Sequence, residues 1–159
     1  MKIRSYALGF TLMELILVIV LLSILSLFAA SRFMGSSSFS AYTLQERVIS
    51  VIRQVQVNRI QSNVASPDNN FRLQVSSSCV GSVAACALTG SAQDARSDVV
   101  IDKSAKFSVI SGAASTINFN LLGNPVSGAV NILIEDKHGR SRCQVEINSQ
   151  GYVSKGTCS

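Results

Sequence analysis

Gly9-Phe10-Thr11-Leu12-Met13-Glu14-Leu15-Ile16-Leu17-Val18-Ile19-Val20 decides the fold, because it heads an apolar run that continues to Ala30. Over residues 10–30 the only ionisable side chain is Glu14, and the uncharged polar interruptions are Thr11, Ser23 and Ser26. As a helix rising 1.5 Å per residue this run would be about 31 Å long, matching the roughly 30 Å hydrocarbon thickness of a bilayer. A secretory signal peptide has a shorter apolar core, roughly 7 to 15 residues, with its small-residue cleavage site after that core. Here the small residue, Gly9, comes before the run. The segment therefore reads as a membrane span that is kept.

Working outward, the mean hydropathy of +0.34 is high for a small soluble protein, and the excess sits in this one run, since beyond Ala30 the composition is ordinary for a globular domain. A chain of 159 residues has room for one modest domain and an appendage, not for two cores. The formal charge is +5, but Lys2 and Arg4 precede the apolar run; without them 12 basic side chains face 9 acidic ones, a mild +3. With no dense Lys/Arg run, this balance reads as a solvated surface rather than an argument for nucleic acid or an anionic surface.

Gly9-Phe10-Thr11-Leu12-Met13-Glu14-Leu15 resembles the processing site of type IV pilins and type II secretion pseudopilins, in which glycine, aromatic residue and glutamate keep fixed spacing at the head of an apolar run. The resemblance implies that residues 1–9 are a leader, cut between Gly9 and Phe10 by prepilin peptidase, and that the new Phe10 amine is methylated. It implies that residues 10–35 form a hydrophobic transmembrane and assembly helix, and that residues 36–159 form a periplasmic or extracellular head. The implied partners are other pilin subunits, an inner-membrane assembly platform and its ATPase. The implied location is the inner membrane first, then a cell-surface pilus or periplasmic pseudopilus.

An acidic residue inside a spanning helix costs about 2.5–3.5 kcal/mol on insertion scales and usually has a partner. For Glu14 that partner would be the Phe10 ammonium of a neighbouring subunit, met in a low-dielectric setting where opposite charges attract strongly. The alternative is that Glu14 lies near the interface and is simply hydrated or protonated.

After Ala30 a second helical pattern follows: Leu44, Val48, Val51, Ile52 and Val55 share one face. Gln45, Glu46, Arg47, Arg53, Gln54 and Arg59 fill much of the remainder. No proline occurs before Ser66, so one long helix from about Thr11 to about Ser62 is expected, bent near Gly35. Many pilins have a kinking proline where this chain has Ser31. Ser66-Pro67-Asp68-Asn69-Asn70 ends the helix. Short β-branched or aromatic runs at 71–76, 106–110, 116–120, 130–135, 143–147 and 152–154 read as strands, and 76–97 as a small-residue loop. The expected class is α+β, a long N-terminal helix packed on a mostly antiparallel sheet.

The four cysteines, Cys79, Cys86, Cys143 and Cys158, fit two disulfides in an oxidising compartment. Three pairings are open. We favour Cys79 with Cys86 and Cys143 with Cys158, which close the shortest loops. A zinc site is disfavoured by the lack of a C-x-x-C pair and by a single histidine, His138. His138 stands in a turn-like context, no serine has a nucleophile setting and no phosphate loop is present, so no catalytic residue, metal or cofactor is expected.

The order Thr116–Phe119, Gly123-Asn124-Pro125, Val130–Ile134, Arg142–Ile147 and Gly151-Tyr152-Val153 resembles the head of the GspH/FimT group of pseudopilins and minor pilins. In style it is similar to a minor pilin of the mannose-sensitive haemagglutinin pilus. Gly139-Arg140-Ser141-Arg142 is similar to the Gly-Arg-x-Arg element of some DNA-uptake minor pilins, although that element sits near the terminal strand, where this chain has Gly151-Tyr152-Val153-Ser154. Arg140 and Arg142 are thus the candidate ligand contacts, with an ordinary hairpin turn as the default. The expected function is a minor pilin or pseudopilin, a structural subunit that is incorporated into, primes or decorates a type IV pilus or related filament. The alternatives are a tip protein that binds DNA or a surface, and a type II secretion pseudopilin.

Overall fold

The computed structural model describes residues 11–34, 40–112 and 114–159. The chain divides into two compact units, Met1–Ser36 and Ser37–Ser159. In the first unit, α1 spans Leu12–Met34. In the second, α2 spans Ser40–Gln61. The expected bend near Gly35, and with it the continuity of one long helix, lies outside the described residues.

Eight strands follow α2: β1 Arg72–Val75, β2 Cys79–Ser82, β3 Val99–Ile101, β4 Ala105–Ser111, β5 Thr116–Asn118, β6 Val130–Asp136, β7 Arg142–Ile147 and β8 Val153–Cys158. Two single-turn helices, α3 Val83–Cys86 and α4 Ser91–Asp94, lie between β2 and β3. The strands form two four-stranded sheets, ordered β3-β2-β1-β5 and β4-β6-β7-β8, with every pairing antiparallel. The single sheet expected from the sequence is therefore two.

One face of α2 explains why both sheets hold together. Ala41, Leu44, Val48, Val51, Ile52 and Val55 are buried at three- and four-residue spacing, and they pack into one core with Leu73, Val75, Val80, Val100, Ile117 and Phe119 of the first sheet. The same core takes Phe107, Ile132, Ile134, Val145, Ile147 and Val153 from the second. The strict alternation of buried residues along β6 shows the period-2 pleat that aims Val130, Ile132 and Ile134 at the helix. Burying side chains of this kind stabilises by roughly 1.5–3 kcal/mol each, so truncating the fully buried Ile52 to alanine would cost about 2–5 kcal/mol.

Polar residues on α2 also turn inward, which corrects the reading of Gln45 and Arg59 as part of a polar outer face. Gln45 Nε2 donates to Gln144 O at 2.7 Å and Gly156 O at 3.3 Å, and Arg53 donates to Val153 O at 2.8 Å. Gln56 Nε2 donates to Gly123 O at 2.9 Å and Gly151 O at 2.8 Å; Arg59 Nε donates to Phe119 O at 3.0 Å. Helix side chains thus occupy main-chain acceptors along the β8 edge and the loops beside it, which is one way an edge strand is covered. Arg59 also donates to Val64 O at 2.7 Å just past the helix end, where Asn63 takes a left-handed φ of 47°.

Gln56 meets two loops of the same design. In each, an asparagine carboxamide oxygen accepts from the amides two and four residues on: Asn120 from Leu122 and Asn124, Asn148 from Gln150 and Tyr152. A glycine in the left-handed region stands three residues after each asparagine, Gly123 at φ 82° and Gly151 at φ 80°.

Candidate functional site

The sequence places its strongest functional signal at the head of α1. Gly9 and Phe10, the expected cleavage and methylation site, lie outside the described residues. Thr11 is the residue before α1 and Glu14 lies in its first turn. The Glu14 amide donates to Thr11 Oγ1 at 3.2 Å, while the Thr11 amide and hydroxyl both donate to Glu14 Oε2 at 3.3 Å. This is a capping box: each residue satisfies a donor that the first helical turn leaves without an intrahelical partner. A carboxylate there also complements the positive end of the helix dipole. Thr-x-x-Glu ahead of an apolar run is the sequence signature from which this role of Thr11 can be read.

The two serines that interrupt the apolar run are neutralised locally. Ser23 Oγ donates to Ile19 O and Ser26 Oγ to Leu22 O, both at 2.7 Å, so each hydroxyl is satisfied by its own helix. Around them Leu12, Met13, Leu15 through Leu22, Ile24 and Leu25 are all exposed within the chain. These positions cover every side of a helix with 3.6 residues per turn, and a helix apolar all round needs lipid or other helices about it. The described side chains of α1 stop at Ser26, and among the described residues no helix is long and apolar enough to cross a membrane.

Residues 4–30 match a family model described as the prokaryotic N-terminal methylation motif. The N-terminal segment is type IV pilin-like. The match takes in Gly9 and Phe10, the capping box and the whole apolar run of residues 10–30. It supports the type IV pilin and pseudopilin superfamily and a structural, prepilin-processed subunit that assembles with other pilin subunits. Comparison with curated proteins and with solved structures found no significant match to the chain.

The head of the pilin-like chain carries the remaining candidates. Disulfides join Cys79 to Cys86 and Cys143 to Cys158. The first ties the start of β2 to the end of α3; the second links directly opposed residues of β7 and β8. His138, Gly139 and Arg140 are exposed in the β6–β7 turn, where Gly139 takes φ 67°. Arg140 and Arg142 are both exposed with Ser141 buried between them, the alternation expected of a strand. Arg142 Nε pairs with Glu135 Oε1 at 2.8 Å across the hairpin, which offsets half of the proposed cationic pair. Among the described residues no group of three or more His, Cys, Asp or Glu side chains is placed to hold a metal.

Two features of the head had no counterpart in the sequence reading. Arg96 grips the buried Asp98 with both ends of its guanidinium, Nε to Oδ1 and Nη2 to Oδ2 at 2.7 Å each, and Nη2 also reaches Ser82 Oγ at 3.2 Å. Burial works to raise the Asp98 carboxyl, but hydrogen bonds from Arg96 and Ser82 and the charge of Arg96 outweigh it and hold the group below its ordinary 3.8. The second is a shallow groove of about 240 Å³ between α2 and the twin loops, with Val57, Ile60 and Leu122 on its walls and Arg53 at one side.

Proposed function

We propose that this chain is a minor pilin or pseudopilin: a subunit cut between Gly9 and Phe10, methylated at Phe10, and built into a type IV pilus or related filament or used to prime one. The observation that carries the reading is the apolar surface of α1, exposed on every side and opened by the Thr11–Glu14 cap inside the methylation motif. Residues 10–35 hold the subunit in the inner membrane with the head, residues 36–159, in the periplasm. After leader removal the helix leaves lipid for a bundle of its own kind, and Glu14 meets the Phe10 amine of a neighbour to set the register. Lipid tails are about as apolar as leucine, so the transfer offers little hydrophobic drive; packing, that ion pair and an assembly platform with its ATPase supply the rest.

The test is the mass of the mature N-terminus. A chain beginning at N-methylated Phe10 is expected, and replacing Gly9 with a bulky residue should leave full-length precursor in the membrane fraction. A mature protein that lacks residues 10–30 would overturn the proposal. The exposure of Arg140 and Arg142 favours a second reading, in which the head presents this turn to DNA or another anionic surface. Retardation of DNA that falls with salt and disappears in an Arg140→Ala, Arg142→Ala variant would support it.

A further inference from the structure

We propose that the head binds a carboxylate, carried on a short apolar stem as in a glutamate side chain of a partner protein, in a hollow between the end of α2 and the loop after β5. The hollow has a volume of about 470 Å³, with Arg59, Arg72, Pro67, Asn118, Phe119 and Val126 on its walls. Arg59 belongs to the last turn of α2 and is only 3% exposed. Its Nε donates to Phe119 O at 3.0 Å, its Nη1 to Ser62 Oγ at 3.0 Å and Val64 O at 2.7 Å, and its Nη2 to Ala65 O at 3.3 Å. Each of these acceptors is neutral, and Nη2 keeps a second hydrogen. Arg72, the half-buried first residue of β1, donates from Nε to Asn118 Oδ1 at 2.8 Å. Among the described residues its Nη groups make no hydrogen bond.

A full positive charge taken out of water needs a countercharge, and neutral oxygens supply only part of one. The carbonyl end of α2 contributes about half a unit of negative charge. The ion pairs of the head join Arg96 to Asp98, Arg142 to Glu135 and Lys155 to Glu46, so among the described residues neither Arg59 nor Arg72 has a carboxylate. Asp68, which follows Pro67 in the chain, turns its Oδ1 to the Asn70 amide at 2.7 Å instead. Two guanidiniums short of negative charge on one open hollow suit an oxyanion. A planar carboxylate fits better than inorganic phosphate, because it meets the edge of a guanidinium with two parallel bonds and its stem can rest on Pro67 and Val126. Phosphate sites recruit main-chain amides, and here those of Asn120 and Val126 are already committed, to Asn124 O and Asn118 O at 2.9 Å each. The hollow lies wholly in the head, so its occupancy is independent of N-terminal processing.

The experiment uses the full chain in detergent with isotope-labelled arginine, and follows the Arg59 and Arg72 Nε–H resonances as glutamate capped by acetyl and amide groups is titrated in, ionic strength being held with NaCl. Both resonances should move and saturate at roughly millimolar acid, since an open hollow leaves the partners partly hydrated. Capped glutamine, the neutral control, should move neither. Arg72→Gln removes a side chain that bonds only to Asn118, so the head keeps its fold. It should raise the half-saturating concentration read on Arg59 by about tenfold. Resonances that follow ionic strength alone overturn the proposal, as does an Arg72→Gln chain that binds as wild type does. Inorganic phosphate saturating the same resonances at lower concentration than capped glutamate would overturn the choice of carboxylate.

Discussion

Gly151 runs so close to Gly123 that a Cβ on Gly151 would sit 2.5 Å from the Gly123 carbonyl oxygen. The Gln56 amide lies against the same pair and donates to both carbonyls. Two turns of identical design are thus clipped together by one helix side chain.

Gly151→Ala should therefore destabilise the head by about 1–3 kcal/mol from the left-handed backbone alone, with the contact to Gly123 adding to it. Gln56→Ala should cost about 1–3 kcal/mol by leaving one buried and one half-buried carbonyl without this donor. Urea unfolding of each variant measures both; a wild-type midpoint in either would show that the clip contributes nothing.

The capping box separates two roles of Glu14. Thr11→Ala keeps the charge and removes the hydroxyl of the cap, and should cost α1 about 0.5–2 kcal/mol of local stability while filaments still form. Glu14→Leu removes the charge and should leave insertion intact yet lower incorporation into filaments. Immunoblots of membrane and sheared-filament fractions read the two outcomes. Equal incorporation of Glu14→Leu and wild type would show that the carboxylate is no docking group.

The Arg96–Asp98 pair makes part of the stability acid-sensitive. Because the folded Asp98 carboxyl is held below 3.8, its contribution is fully present above that value and is lost as pH falls through the lowered folded value. Asp98→Asn should be less stable than wild type at neutral pH, and the gap should narrow once the pH drops below 3.8. Denaturant midpoints across pH 7 to about pH 3 test this. A gap that does not change with pH would mean the charge of Asp98 is not what stabilises the pair.

Removing both cysteines of a pair should follow loop length. The Cys143–Cys158 bridge, separated by 15 residues, is worth about 3 kcal/mol in the chain-entropy account. The Cys79–Cys86 bridge, separated by 7, is worth about 2.5 kcal/mol. Unfolding free energies of the two double variants give the comparison directly.

Much of this architecture could be read from residue pattern. Leu44, Val48, Val51, Ile52 and Val55 announced the buried face of α2, and the runs around Phe107, Ile117, Ile132, Val145 and Val153 fell on strands because β-branched residues alternate there. β2 and β3 escaped notice. Gly81 looked like a loop residue, yet a Cβ there would meet Asp98 O at 2.6 Å, so the glycine is what lets the two short strands pair. The inward turn of Gln45, Gln56 and Arg59 was also hidden. A polar residue on a helix looks solvated until its acceptor is known, and most of these acceptors lie 60 or more positions away.

Gln45, Arg53, Gln56 and Arg59 each reach sideways from α2 to a main-chain oxygen. A tug along the axis of α2 loads these four attachments together, in shear, rather than peeling them one after another. Traction entering at the start of α2 is spread over about 14 residues of helix, a length of roughly 21 Å. A fibre under tension would find its grip on the head divided among several anchors.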